Sequence, residues 1–378
     1  MTFSLDRRQA RRAILLGLGC SMLALSACQT RAPVRPLPGE VEPPVGARHE
    51  VALIVPLTGE DGPIGTSISN AARLALLDTG NQTIDLNIYD STQGGAAAAA
   101  ARAIAEGNRL ILGPLLAEEV RAAAPVARQA RVPVIAFSND EGVAGDGVYI
   151  LGLTPRQSIG RVVQYASARG ARRFGALVPT GVYGQRASQA LGETLQAPYG
   201  TLAATETFDR TAAGVRTAVN ALNKKGKFDA IVIADTSRIA AQAATGIRPG
   251  PRLLGTELWA NDRTIGTNAR LRGAWFAAAP DARFDQLVTR YRARYGKIPY
   301  RLGSLGYDAV LLTVRAARTW PAGRPFPQRV LTDREGFAGV DGIFRFGRSG
   351  VAERALEVRE VTAAGAKVVS PAATAFPD

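Results

Sequence analysis

From Val51 onward the chain alternates short aliphatic and β-branched runs with longer stretches of helical period, twice in succession, and this restricts it to an α/β architecture. Val51-Ala52-Leu53-Ile54-Val55 predicts a buried strand. Thr66 to Leu77 follows with Ile68, Ala71, Ala72, Ala75 and Leu76 at helical spacing. Ile84 to Tyr89 reads as a strand, and Ala96 to Glu106, with six consecutive alanines, as a helix. Strand Leu110 to Leu112, helix Glu118 to Ala130 and strand Val134 to Phe137 complete the first series. The second begins after Tyr149-Ile150-Leu151, with helix Ser158 to Arg169, strand Phe174 to Val178, and helices Tyr183 to Leu195 and Ala213 to Asn223. Strands at Ala230 to Ala234, Leu253-Leu254 and Ala274 to Ala277 come next, then helices Asp281 to Tyr295 and Gly303 to Thr319. Gly342 to Phe346 and Leu356 to Thr362 are strand-like. Strands joined to helices by short loops imply parallel sheets covered on both faces, and two such series imply two lobes. A ligand would lie between them, at the carboxyl ends of the strands.

The amino terminus has a different logic. Arg7, Arg8, Arg11 and Arg12 precede an apolar run from Ala13 to Ala27, the pattern of a removable export signal. At fifteen residues the run is too short to cross a bilayer core of roughly 30 Å. Leu25-Ser26-Ala27-Cys28 resembles the bacterial lipobox, which implies that Cys28 carries lipid and begins the mature chain at residue 28. By the same resemblance Gln29, in place of Asp, implies sorting to the outer membrane. Arg11-Arg12-Ala13-Ile14-Leu15 faintly resembles a twin-arginine signal without its usual flanks, so the general secretory route is expected. Residues 28–48 hold Pro33, Pro36, Pro38, Pro43 and Pro44 and read as a semi-rigid tether.

Most catalytic chemistries lack their residues. Cys20 and Cys28 are the only cysteines and His49 the only histidine, so the body contains no disulfide framework, no Cys-based zinc site and almost no imidazole. Gly59 to Gly65 follows a strand and opens a helix, but its glycines lack the dinucleotide spacing and no Gly-Lys-Ser/Thr follows, so no nucleotide cofactor is expected. Asp140 beside Glu141 could serve as an acid–base pair, yet reads equally as a solvated loop. No catalytic residue, metal or cofactor is assigned. Thr58, Gly59 and Gly65 after the first strand, Gly113 with Leu115-Leu116 after the third, and Ser138-Asn139 after the fourth would face the crevice. Turn residues of these types are also ordinary loop chemistry.

Val51 to Gly59, Ile111 to Leu116, Arg173 to Val178 with Tyr183-Gly184, and Gly306-Tyr307-Asp308-Ala309 resemble the type I periplasmic binding proteins, known best from leucine, isoleucine and valine importers. The resemblance covers about residues 50–362. It implies a two-lobed fold, each lobe a parallel sheet flanked by helices, with three hinge crossings near Leu153-Thr154, Ala279-Pro280 and Phe337 to Gly339. Lobe one would hold residues 49–153 and 280–336, lobe two residues 154–279 and 337–368, and residues 369–378 would form a flexible tail. Pro56-Leu57-Thr58-Gly59 with Ile64-Gly65-Thr66, Tyr89-Asp90-Ser91, Gly113 to Leu116 and Tyr183-Gly184-Gln185-Arg186 are similar, more closely, to the penicillin-binding-protein activator lipoproteins. These are non-catalytic outer-membrane proteins that stimulate a peptidoglycan synthase. Better-known members carry an amino-terminal helical-repeat domain, where here only the tether precedes the fold.

In amino-acid-binding members a hydroxyl-rich turn after the third strand holds the ligand carboxylate. Here it reads Leu116-Ala117-Glu118, without a hydroxyl and with an added negative charge. Ser138, Tyr183 and Glu257 match the family's remaining hydroxyl, cleft tyrosine and ammonium-pairing carboxylate, and Tyr307 joins the cleft candidates. The resemblance thus implies a penicillin-binding protein as partner, with the alternative of an ABC permease and a small polar ligand such as an amino acid or muropeptide. The chain's 46 basic and 32 acidic residues are unevenly placed: 17 against 7 between residues 154 and 279, and 6 against 12 between 49 and 153. Export removes nucleic acid as a partner, so the second lobe, with Arg169, Arg172 and Arg173, is expected to face an anionic partner, either an acidic synthase domain or the envelope's polyanions.

Overall fold

The computed structural model describes residues 48–196 and 198–376. The export signal, Cys28 and most of the tether lie outside the described residues. In chain order the first series is β1 (His49–Val55), α1 (Gly62–Thr79), β2 (Ile84–Asp90), α2 (Gly95–Ala105), β3 (Leu110–Leu112), α3 (Ala117–Gln129), β4 (Val134–Ala136) and β5 (Val148–Ile150). The second is α4 (Pro155–Ser167), β6 (Arg173–Pro179), α5 (Val182–Thr194), β7 (Thr201–Phe208), α6 (Ala212–Lys224), β8 (Ala230–Ile233), α7 (Ser237–Ala244), β9 (Arg252–Gly255) and β10 (Trp275–Ala278). Helices α8 (Ala282–Tyr295) and α9 (Gly303–Ala317) and strands β11 (Phe337–Gly339), β12 (Gly342–Phe346), β13 (Ala352–Arg354), β14 (Glu357–Thr362) and β15 (Gly365–Ser370) complete it.

The first sheet has the order β2-β1-β3-β4-β5, all parallel. The second repeats that winding as β7-β6-β8-β9-β10, then adds β14 antiparallel to β10 and β15 antiparallel to β14. Each sheet is apolar on both faces, as parallel sheets between helix layers must be. Val51, Leu53 and Val55 point to a core shared with α1, α8 and α9, while Ala52 and Ile54 point to one shared with α2 and α3. Alanines 96, 99, 100 and 103 form the buried stripe of α2, where small side chains let two helices approach closely. The winding also repeats a backbone contact: a Cβ on Gly65 would strike the carbonyl oxygen of Pro56, and a Cβ on Gly184 that of Pro179. Each glycine lets the helix that follows the lobe's first strand settle on the carbonyl at or just past that strand's end.

The chain passes between the sheets three times, after β5, after β10 and at Ala355-Leu356. The last passage lies later than Phe337 to Gly339. Phe337, Val340, Phe344, Phe346 and Ala352 pack into the first core, with Phe337 and Phe344 stacked 5.4 Å apart, so the small sheet β11-β12-β13 stays with the first half. The expected flexible tail from 369 also begins late, because Ser370 ends β15 and its hydroxyl accepts from Arg161 at 2.6 Å. The edge strands β7 and β15 carry little periodic signal, and α7 is only eight residues long. Strand β7 is mostly exposed or half-buried, so its Thr-rich sequence reads as loop.

A buried ionic knot ties the third sheet to α9. The Asp308 carboxylate accepts from the Val340 amide at 2.6 Å and lies 3.6 Å from Arg354, whose guanidinium also donates to the carbonyl of Leu151. Asp341 sits alongside, paired with Arg301 at 2.7 Å and bonded by the Ser304 hydroxyl at 2.6 Å. Burial and the Asp341 carboxylate push Asp308 up to about 7. A raised carboxyl favours the fold fully below its unfolded value of about 4, and this contribution is lost as pH rises through 7. Asp308→Ala, which strands Arg354, should cost about 3–5 kcal/mol in urea denaturation at pH 7. Asp308→Asn should flatten the fall in stability between about pH 4 and 7; an unchanged slope would assign that fall to other groups.

Candidate functional site

The carboxyl ends of both sheets face the crevice, and the switch points of the two windings, between β1 and β3 and between β6 and β8, place its walls. On the first wall Asp90, at the end of β2, accepts from the amides of Leu57 and Thr92 at 3.0 Å each and from the Thr92 hydroxyl at 2.7 Å. Burial opposes its charge, yet these donors hold it below the usual carboxylate range. The Thr58 hydroxyl is spent on Thr92 at 2.5 Å, and Gly59, at φ 74, is exposed. Gly65 and Gly113 serve backbone packing: a Cβ on Gly113 would strike the carbonyl oxygen of Ile54.

The start of α3 is closed from within. Leu116 and Ala117 are half-buried there, and the Leu116 amide donates to one carboxylate oxygen of Glu119 at 3.2 Å while the Ser91 hydroxyl donates to the other at 2.5 Å. The negative charge that fills this amino-terminal turn is thus Glu119, and Glu118 is exposed. A carboxylate placed three residues into a helix satisfies an amide that an anionic ligand would otherwise take.

On the second wall Glu257, buried, accepts from the hydroxyls of Ser158 and, at 3.0 Å, Tyr183, which also approaches Thr256 at 3.1 Å. Burial raises Glu257 above the ordinary range despite these donors. Burial and the Glu257 charge together push Tyr183 well above its own. Glu257 forms no ion pair among the described residues. Tyr183 and Glu257, read from the sequence as separate cleft candidates, bond to each other, with Ser158 and Thr256 as partners that no motif announced.

Ser138 is buried, and its hydroxyl accepts from the amide of Asp140 at 3.1 Å, whereas Asn139 is exposed. Asp140 is the ionic centre of the crevice. It meets Arg121 from α3, Arg186 from α5 at 2.7 Å and the Gly142 amide at 2.9 Å, so one carboxylate links the two halves. Burial works against its ionisation, but the Gly142 amide, Arg186 and Arg121 hold it below the usual range. Glu141 is bound at 3.2 Å to Arg156, so neither carboxylate stands free for acid–base work. Tyr307 does not belong to the crevice: it lies on α9 and donates to Asp78 of α1 at 2.8 Å, in the helix layer behind the first sheet. Among the described residues no cluster of three or more His, Cys, Asp or Glu could hold a metal ion.

The sequence profile of the periplasmic binding protein family matches residues 49–366. An uncharacterised protein of Rickettsia prowazekii is 26% identical over 171 residues, which are 45% of this chain and 46% of that protein. The penicillin-binding protein activator LpoA of Photobacterium profundum is 28% identical over 168 residues, 43% of this chain and 27% of that protein. The matched segment thus spans less than half the length of either relative. Among solved structures, the leucine binding protein LivK of Thermotoga maritima superposes with a TM-score of 0.65 at 21% identity, over 85% of this chain and 98% of its own. Full-length LpoA of Haemophilus influenzae gives 0.66 at 20%, over 86% and 59%. At these identities the superpositions establish the fold.

Asp140→Asn should lower stability at pH 7 by about 1.5–3 kcal/mol, the range for hydrogen bonds to charged groups. Because the Asp140 pKa is depressed on folding, the difference should be complete above about pH 4 and shrink as pH falls below it. Paired urea melts at pH 7 and pH 3 read this, and equal differences at both would refute it.

Proposed function

The chain belongs to the periplasmic binding protein family, and from that premise we propose that it is a non-catalytic, lipid-anchored periplasmic protein, held at the outer membrane through Cys28, that activates a penicillin-binding protein and so regulates peptidoglycan synthesis. The observation that carries this reading is Glu119. The helix terminus where a small anionic ligand would dock already holds a carboxylate of the chain itself. An α-carboxylate brought there would meet a like charge and find its amide taken. Asp140, bound to Arg121 and Arg186, further commits the crevice to internal contacts. A crevice satisfied by its own groups suits a scaffold whose function lies on its surface. The likeness to a protein named as a penicillin-binding protein activator supports that direction.

A second reading, the substrate-binding subunit of an ABC importer, is favoured by one feature. Glu257 is a buried carboxylate with hydroxyl partners and no cation, the chemistry that would hold a ligand ammonium.

Two measurements separate the readings. The full chain immobilised against detergent-solubilised envelopes should retain a penicillin-binding protein, and a purified synthase should polymerise faster in its presence. Thermal-shift assays with leucine, isoleucine, valine and muropeptides should show no stabilisation. A ligand at a hundred times its dissociation constant would add about 2.7 kcal/mol; such a shift, abolished by Glu257→Gln, would overturn the activator reading in favour of transport.

A further inference from the structure

The second sheet carries another concavity, at the edge opposite the crevice. Gly170-Ala171 before β6, Asp229 before β8, Arg252 at the start of β9 and Trp275 at the start of β10 line a cavity of about 820 Å³. Parallel strands carry this wall at their amino-terminal ends, a sheet's length from Tyr183 and Glu257. Its lining includes six basic side chains, Arg169, Lys227, Arg248, Arg252, Arg270 and Arg272, against a single acidic one. That one, Asp229, is committed to the chain, since one of its oxygens accepts from the amides of Arg172 and Arg173 at 2.8 Å each. None of the six forms an ion pair among the described residues, and all are exposed.

Two of the guanidiniums are held by aromatic faces. Arg169 lies 3.5 Å from the ring centre of Tyr165, and Arg252 lies 4.4 Å from that of Trp275, whose indole N–H is fixed by Glu360 at 2.9 Å. Arg252 also donates to the carbonyl of Gly273, and Arg272 to that of Gly266 at 3.3 Å. Such contacts set the planes of the guanidiniums before any ligand arrives, so less side-chain entropy is lost on binding. Six like charges gathered around a single counter-charge repel one another, and an anion seated among them would lower that cost.

We propose that this cavity is a binding site for a compact ligand carrying two or more phosphate groups. Its volume is that of a small-molecule site rather than of a flat protein contact. Guanidinium forks pair bidentately with phosphate oxygens, and the dense negative charge of clustered phosphates matches several cations that lie close together. The inference is independent of what occupies the crevice and of the activator reading.

Titration calorimetry of the full chain with tripolyphosphate at low ionic strength tests it. Binding is expected, weakening as salt rises. In the double variant Arg248→Ser/Arg270→Ser the affinity should fall about tenfold or more. Both residues are exposed and neither side chain forms an ion pair among the described residues, so the melting temperature should hold and report correct folding. Arg169→Ser alone should give a smaller loss. Sedimentation with cardiolipin vesicles, whose headgroup carries two phosphates, identifies the source of the phosphates. Capture that tripolyphosphate reverses places them on a membrane surface, and absence of capture places them on a soluble ligand. No binding of tripolyphosphate at millimolar concentration, or an unchanged affinity in the double variant, would overturn the proposal. Equal binding of a hexaglutamate peptide would overturn it in favour of an acidic protein segment.

Discussion

Everything about the crevice depends on how closely a helix can approach the end of the strand that precedes it. At Gly65 over Pro56 and at Gly184 over Pro179 no side chain fits, and the helix backbone rests against a strand carbonyl. That contact seats α1 and α5 beside the first strand of each winding, where the strand order reverses, and the reversal opens a gap between neighbouring loops. A bulkier residue at either position would push a helix away and displace Thr58 and Gly59 on one wall or Tyr183 on the other. The crevice is thus set by two glycines whose job is steric.

Within that frame, charges decide what the crevice can accept. Glu119 and Asp140 each take amide or guanidinium donors at the crevice for the chain itself. The Ser158–Tyr183–Glu257 cluster keeps acceptor capacity, since the Glu257 carboxylate has two hydroxyl donors and lone pairs to spare. One wall can therefore still attract a cationic group while the other resists an anionic one. An amino acid needs both ends held.

The buried strands were legible because a parallel strand covered on both faces has to be a continuous apolar run, as in Leu53-Ile54 and Ile111-Leu112. Edge strands β7 and β15 face water along one side, so their sequences carry no such constraint. In the crevice, residue types could be read but their pairing could not. Asp140 and Arg186 are 46 positions apart and meet only when the halves come together. Glu119 replaces Glu118 because adjacent helical residues point about 100° apart, a phase that depends on where the helix begins. Tyr307 fails for the same reason: it sits on the face of α9 that turns toward Asp78, away from the strand ends. The small third sheet lies with the first half and not the second, because its place depends on aromatic packing and on the buried Asp308–Arg354 contact, neither of which has a local signature.

The charge imbalance between residues 49–153 and 154–279 acquires a location in the structure. Arginines spread evenly over a surface would each be screened by solvent and ions within a Debye length of about 8 Å and would attract nothing in particular. Six basic groups around one cavity overlap their fields, and the low-dielectric wall behind them focuses that potential outward. Their position at the amino-terminal ends of β6, β8, β9 and β10 matters as well. Short loops there bring residues from 169 to 272 together without passing through the crevice. The second half of the fold therefore carries two separate polar surfaces, an acidic cluster buried at one end of its sheet and a basic cavity open at the other. The two lie at opposite ends of the strands, with the sheet's buried aliphatic side chains between them.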